Sequence, residues 1–246
     1  MGPTRNSPWV TTGRLSLVEV RKVFTTLGSR TFLIVVASLG AVIAVAVGFL
    51  GDDQQVNAAA VLTVLGLMFT IAMPVVGVLI FTSDWQHREI GSIFLAQPRR
   101  SRSFVAKLIA SLLVTALLLA AAAGIASVLS VGVGVLLQRP LIWTGLDEAV
   151  PQLLAGSFVG VLAGAALGAA LQNAIGAISL CFLQTLLIDP LLGFVPAGVG
   201  PYLMTGSITS FVTGAGALVP FVTAGLLWLA APLAIGLVRH RLGEVS

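Results

Sequence analysis

The sequence predicts an all-α integral membrane protein with six transmembrane helices, and three observations carry that expectation. Of its 246 residues, 57% are hydrophobic and only 9% are charged, whereas a soluble domain uses about 25% charged residues to build its surface. The mean hydropathy is +1.06, and uncharged runs recur at lengths beyond the roughly 18 residues that mark a spanning helix. Basic and acidic residues also concentrate in alternate connections between those runs.

Residues 1–13 contain Pro3 and Pro8 and read as a mobile cytoplasmic tail. Residues 14–246 form one membrane domain, with no length left for a separate soluble one. In 14–27, Leu17, Val20, Phe24 and Leu27 recur at spacings of three and four. Ser16, Glu19, Lys22 and Thr26 line another face, and Glu19 can pair with Lys22 one turn on. This pattern predicts an amphipathic helix lying in the cytoplasmic interface. The alternative is a plain extension of the first span, although Gly28 and Ser29 offer a bend.

The first span covers roughly 31–50, followed by an acidic turn at 51–55. The second lies within 57–83, where Pro74 and Gly77 mark a kink. The third begins after Lys107 and stays uncharged to Gln138, about ten residues more than a perpendicular crossing needs. It is therefore expected to tilt, protrude, or break near Gly132 and Gly134. Residues 139–151 read as a polar loop carrying Asp147 and Glu148. The uncharged stretch 149–188 is long enough for two crossings, turning at Gln172 and Asn173. Residues 189–216 are interrupted by Pro190, Pro196, Pro201 and several glycines. They read as short helices dipping into the outer leaflet, where protein or water must satisfy the backbone. The last span covers roughly 218–238.

Six crossings place both termini in the cytoplasm. Twelve of the thirteen Lys and Arg residues then fall on the cytoplasmic side, and only Arg139 falls outside. A single crossing of 149–188 would put Arg239, His240 and Arg241 outside, against the positive-inside bias. The same placement explains the high pI without nucleic acid as a partner.

Several chemistries are excluded. The two lysines, Lys22 and Lys107, follow no Gly-rich loop, so there is no P-loop and the chain is not expected to hydrolyse nucleotide. With two histidines, each beside arginines, and one cysteine inside an apolar run, no metal site and no disulfide framework is expected. No catalytic trio suggests itself. The spans carry no ionisable residue at mid-membrane; Asp189, at a predicted outer boundary, is the one residue an ion-coupled carrier could use. Its bland role is to cap the Pro190 turn. Gly156, Gly160, Gly164 and Gly168 stand four residues apart on one stripe of the fourth span, a helix-packing face. Static packing within one subunit and a sliding or dimerising face both fit that stripe.

The longest charged interruption is 84–107. Asp84, Trp85, His87, Arg88 and Glu89 crowd the end of the second span, a mixture suited to a protein contact. Arg99, Arg100, Arg102 and Lys107 would face anionic headgroups as a membrane-surface anchor, where each charge is worth about 1 kcal/mol. The bland alternative is that the whole segment only determines topology.

This segment resembles the permeases of type-2 ABC exporters, especially those of actinobacteria, through Asp84, Trp85, His87, Phe94, Leu95, Pro98, Arg99, Arg100, Arg102, Ala106 and Lys107. A looser likeness covers the whole chain: the amphipathic helix with Glu19 and Lys22, six spans, a broken outer segment with Pro201, Tyr202 and Leu203, and a basic C-terminus. Two departures stand out, because Asp84 replaces the usual Glu, and Arg88 and Glu89 stand where Gly and Thr are typical. The resemblance implies a bacterial plasma-membrane exporter permease, paired as a homodimer or with a related subunit. It implies a cytoplasmic coupling helix between spans 2 and 3, with Asp84–Glu89 as the contact. That contact would meet a separate cytoplasmic ATPase, which carries the ATP and Mg, while this chain binds no cofactor. An ion-coupled secondary carrier and a non-transporting scaffold are the rival expectations.

Overall fold

A computed structural model describes the backbone of residues 8–51, 55–86, 100–195 and 198–242. Its elements are α1 (Pro8–Thr25), α2 (Leu27–Leu50), β1 (Val56–Asn57), α3 (Ala58–Gln86), α4 (Arg100–Leu137), β2 (Leu141–Ile142), α5 (Leu146–Leu171) and α6 (Ala174–Leu183). A π-helical turn, Gln184–Ile188, leads into α7 (Asp189–Gly193), followed by α8 (Gly200–Leu203) and α9 (Gly206–Val212). The last span is built from α10 (Leu218–Gly225), a second π-helical turn at Leu226–Ala230, and α11 (Ala231–Leu242).

Six stretches are long and apolar enough to cross a membrane: Leu27–Leu50, Ala58–Ser83, Arg102–Leu137, Leu146–Leu171, Ala174–Gly193 and Leu218–His240. The protein is an all-α, multi-pass membrane protein. The turn between the fourth and fifth spans falls at Gln172 and Asn173, as the uncharged run predicted. Gln172 adopts the left-handed conformation, with φ 53°, and the Asn173 side chain accepts from the Gly176 amide, capping α6.

α3 is the central element and packs most extensively against α5. The contact explains the glycine stripe. A Cβ on Gly156 would lie 3.1 Å from Thr70 Cγ2, one on Gly160 3.3 Å from Pro74 Cδ, and one on Gly168 3.0 Å from Val78 Cα. At Gly164 it would fall onto the backbone of Pro74, and Gly77 on α3 is crowded in return by the backbone of Val161 and Ala165. Pro74 has no amide to offer the carbonyl of Thr70, and that carbonyl faces Gly160. Beside it, the hydroxyls of Thr70 and Ser157 lie 3.3 Å apart. The stripe is thus an intramolecular packing face, where small residues let two backbones approach.

Three sequence expectations are corrected here, and one left between alternatives, the course of the third span, is narrowed. α1 starts at Pro8, so residues 8–13 are helical rather than tail; proline's fixed φ suits a first helical position. The break between α1 and α2 is at Thr26 (φ −73°, ψ 126°), just before Gly28 and Ser29. α4 runs unbroken through Gly132 and Gly134 and ends where Gln138 turns left-handed and the Arg139 amide reaches back to the Gly134 carbonyl at 3.0 Å. The loop 139–151 is shorter than expected, because Asp147 and Glu148 sit in the first turn of α5, where the helix dipole favours carboxylates. Within that loop β2 pairs in parallel with β1, Val56 opposite Leu141 and Asn57 opposite Ile142. Strands this short leave no periodic signal in a sequence.

α1 packs chiefly on α4, burying Ser16 and Val23. Leu17, Phe24 and Leu27 of the predicted apolar stripe remain exposed, while Val20 packs against the bundle core.

Candidate functional site

The two flanks of the charged segment are built into one end of the bundle. On α3, Thr82 Oγ1 donates to the Val78 carbonyl at 2.9 Å and Ser83 Oγ to the Ile80 carbonyl at 3.1 Å. Such back-bonding hydroxyls compete with the helical ladder. From α4, Lys107 reaches across. Its Nζ donates to the carbonyls of Ile80 at 3.2 Å and Phe81 at 3.5 Å, and the residue is only 3% exposed. The Phe81 and Phe104 rings meet edge to face, 5.2 Å apart and at 74°. The Phe104 ring also lies 6.3 Å from that of His240 on α11.

Lys107 therefore departs from its predicted role as a surface anchor. A side chain this buried cannot meet headgroups, and its ammonium donates to backbone carbonyls of α3. A signal for this existed in the sequence. Lys107, Ser111 and Thr115 stand four residues apart and all three are buried; Ser111 donates to the Lys107 carbonyl and Thr115 to that of Ser111. They mark the protein-facing side of α4.

Of the other predicted residues, Asp84 and Trp85 lie on the last turn of α3, and Arg100 and Arg102 on the first turn of α4. His87, Arg88, Glu89 and Arg99 lie outside the described residues, as does the body of the expected coupling helix. The Glu19 and Lys22 pairing forms at 3.4 Å. Both residues line a shallow cleft with Val23, Thr26, Ser29, Leu79, Ile80 and Ser83, so the α1–α2 elbow sits against the final turns of α3. The same end is tied to α5, since Arg239 Nη1 donates to the Ala170 carbonyl at 2.6 Å. Gly236 leaves no room for a side chain against Ala169.

A second polar cluster joins the fifth span to the broken segment. Asp189 does not serve chiefly as the cap of a Pro190 turn, because it continues in helical geometry from the π-helical turn. Its carboxylate instead accepts from the Thr205 amide at 3.2 Å and from the Thr205 hydroxyl. Thr205 precedes α9, where amides lack helical partners. The same hydroxyl accepts from Gln184 Nε2 at 2.7 Å, and Gln184 Oε1 accepts from Thr185 at 3.2 Å. One residue before Met204, the Leu203 carbonyl accepts from Trp228 Nε1 at 2.6 Å. Both π-helical turns are thus bonded to the link between α8 and α9. The sequence singled out neither Gln184 nor Thr205 nor Trp228, and showed Arg239 only as part of a basic end.

Among the described residues, no three His, Cys, Asp or Glu side chains come together as a metal site would require. Comparison with protein-family models returns no match. Comparison with curated proteins also returns none.

Proposed function

We propose that this chain is the permease subunit of an ATP-driven exporter of the type-2 ABC class, moving an amphipathic or hydrophobic substrate outward. The reading is carried by the motif in 84–107 taken with the anchoring of its two flanks: a charged segment bounded by helix ends bonded to each other suits the transmission of an external push. On this reading Asp84, Trp85, His87, Arg88 and Glu89 contact a separate cytoplasmic ATPase that holds the ATP and Mg. Arg99, Arg100 and Arg102 keep the contact at the membrane surface, and α1 lies along the cytoplasmic interface. The protein resides in the bacterial plasma membrane with both termini inside, paired with a second permease subunit, identical or related. The uncharged spans suit a lipid-like cargo.

The rival reading, an ion-coupled carrier using Asp189, finds less support, because both carboxylate oxygens are already engaged by Thr205. The deciding experiment is the combined variant Asp84→Asn, Trp85→Ala, Arg88→Ala in cells that express the ATPase. Membrane insertion is to persist while ATPase co-purification and transport are lost. Unchanged co-purification and transport would sink the proposal and return attention to the carrier and scaffold readings.

A further inference from the structure

We propose that Lys107 is a positioning residue that clasps the last turns of α3 to the start of α4. The clasp makes the two flanks of the charged segment move as one body. Three observations lead there. The ammonium is buried, bonded to two successive carbonyls, Ile80 and Phe81, and contributed by a residue 27 and 26 positions away in sequence. Those carbonyls belong to the turn that Thr82 and Ser83 already loosen by bonding back to Val78 and Ile80. An edge-to-face ring pair, Phe81 with Phe104, closes the same gap one turn before Lys107 on α4.

Energetics argue that the charge is there for direction rather than for stability. A buried cation loses its hydration, and an apolar residue of similar volume commonly serves stability as well or better. What a methionine cannot do is bond two carbonyls at fixed geometry. The buried setting, with its low dielectric, strengthens both bonds. Interdigitated side chains already resist sliding of α3 past α4; the Lys107 bonds add a polar restraint on their relative register at this end. The clasp itself stands on the geometry. Its use in carrying force from an ATPase rests on the function proposed above.

The test uses the full chain in lipid nanodiscs and reads amide hydrogen exchange in the last turn of α3, which needs no partner. Lys107→Met is to insert and fold, since it is the apolar near-isostere, yet to raise exchange at residues 82–86 by about tenfold or more, the population factor of a lost charge-assisted hydrogen bond. Lys107→Arg, which keeps charge and donors, is to retain slow exchange. Slow exchange in the Met variant overturns the clasp, and so does fast exchange in the Arg variant. In vesicles with the ATPase, the Met variant is to bind the ATPase normally but move about tenfold less substrate per ATP. Wild-type protein that binds no ATPase would sink the proposed function while leaving the exchange result standing.

Discussion

Asp189 and Thr205, sixteen residues apart, are joined twice: the carboxylate accepts from both the backbone amide and the hydroxyl of the threonine. Thr205 also takes the amide group of buried Gln184. The broken segment is therefore held to the fifth span by a side-chain network and not by apolar contact alone. Thr205→Val keeps the volume and removes the hydroxyl, which orphans Gln184 Nε2 and one Asp189 oxygen. Thermal unfolding in detergent is expected to report a loss of about 1–2 kcal/mol. Asp189→Asn keeps an acceptor for the Thr205 amide and is expected to cost less. Equal stability of wild type and Thr205→Val would contradict the network.

The α3–α5 contact gives a sharper contrast. A Cβ at Gly164 has no space beside the backbone of Pro74, whereas one at Gly124, on α4, meets nothing within 4 Å. Gly164→Ala is expected to destabilise by about 3 kcal/mol or more, because neither backbone can yield. Gly124→Ala is expected to be neutral or to stabilise by up to about 1 kcal/mol through helix propensity. Unfolding midpoints of the two variants, measured side by side, decide it; similar midpoints would refute the packing account.

Arg239 tests the tie between the end of the last span and α5. Arg239→Gln shortens the side chain and removes the charge that meets the Ala170 carbonyl. The end of α5 is then expected to fray, at a cost of about 1.5–3 kcal/mol, and limited proteolysis is to cut faster at Gln172 and Asn173. An unchanged cleavage rate would show that Arg239 acts only as a topological charge.

The sequence displayed the spans because lipid imposes composition on every turn of a crossing helix, and the uncharged runs carry that record. The division at Gln172 and Asn173 was legible for the same reason, since two polar residues interrupt an otherwise uncharged stretch. The glycine stripe showed a packing face but not its partner, because four-residue spacing says nothing about which helix fills it; Pro74 and Gly77 of α3 do. Lys107 was misread because a lysine at the head of a span looks the same whether it snorkels to headgroups or turns inward. Only its alignment with Ser111 and Thr115 distinguished the two. The Asp189–Thr205 bond left no mark at all, as it joins residues whose proximity depends on how two short helices, α7 and α8, fold back.

The length of α4 has a mechanical consequence. Its 38 residues make a rod about 57 Å long, nearly twice the roughly 30 Å hydrocarbon thickness. The contact with α3 at Lys107 lies close to one end, so α3 and α4 would turn together there, with about 45 Å of α4 beyond the contact. A tilt of only about 5° there would swing the far end of the rod by roughly 4 Å. That far end continues through Arg139 into β2, whose pairing with β1 would pass the swing to the link between α2 and α3. A small rotation at one membrane face would thus reach the other amplified.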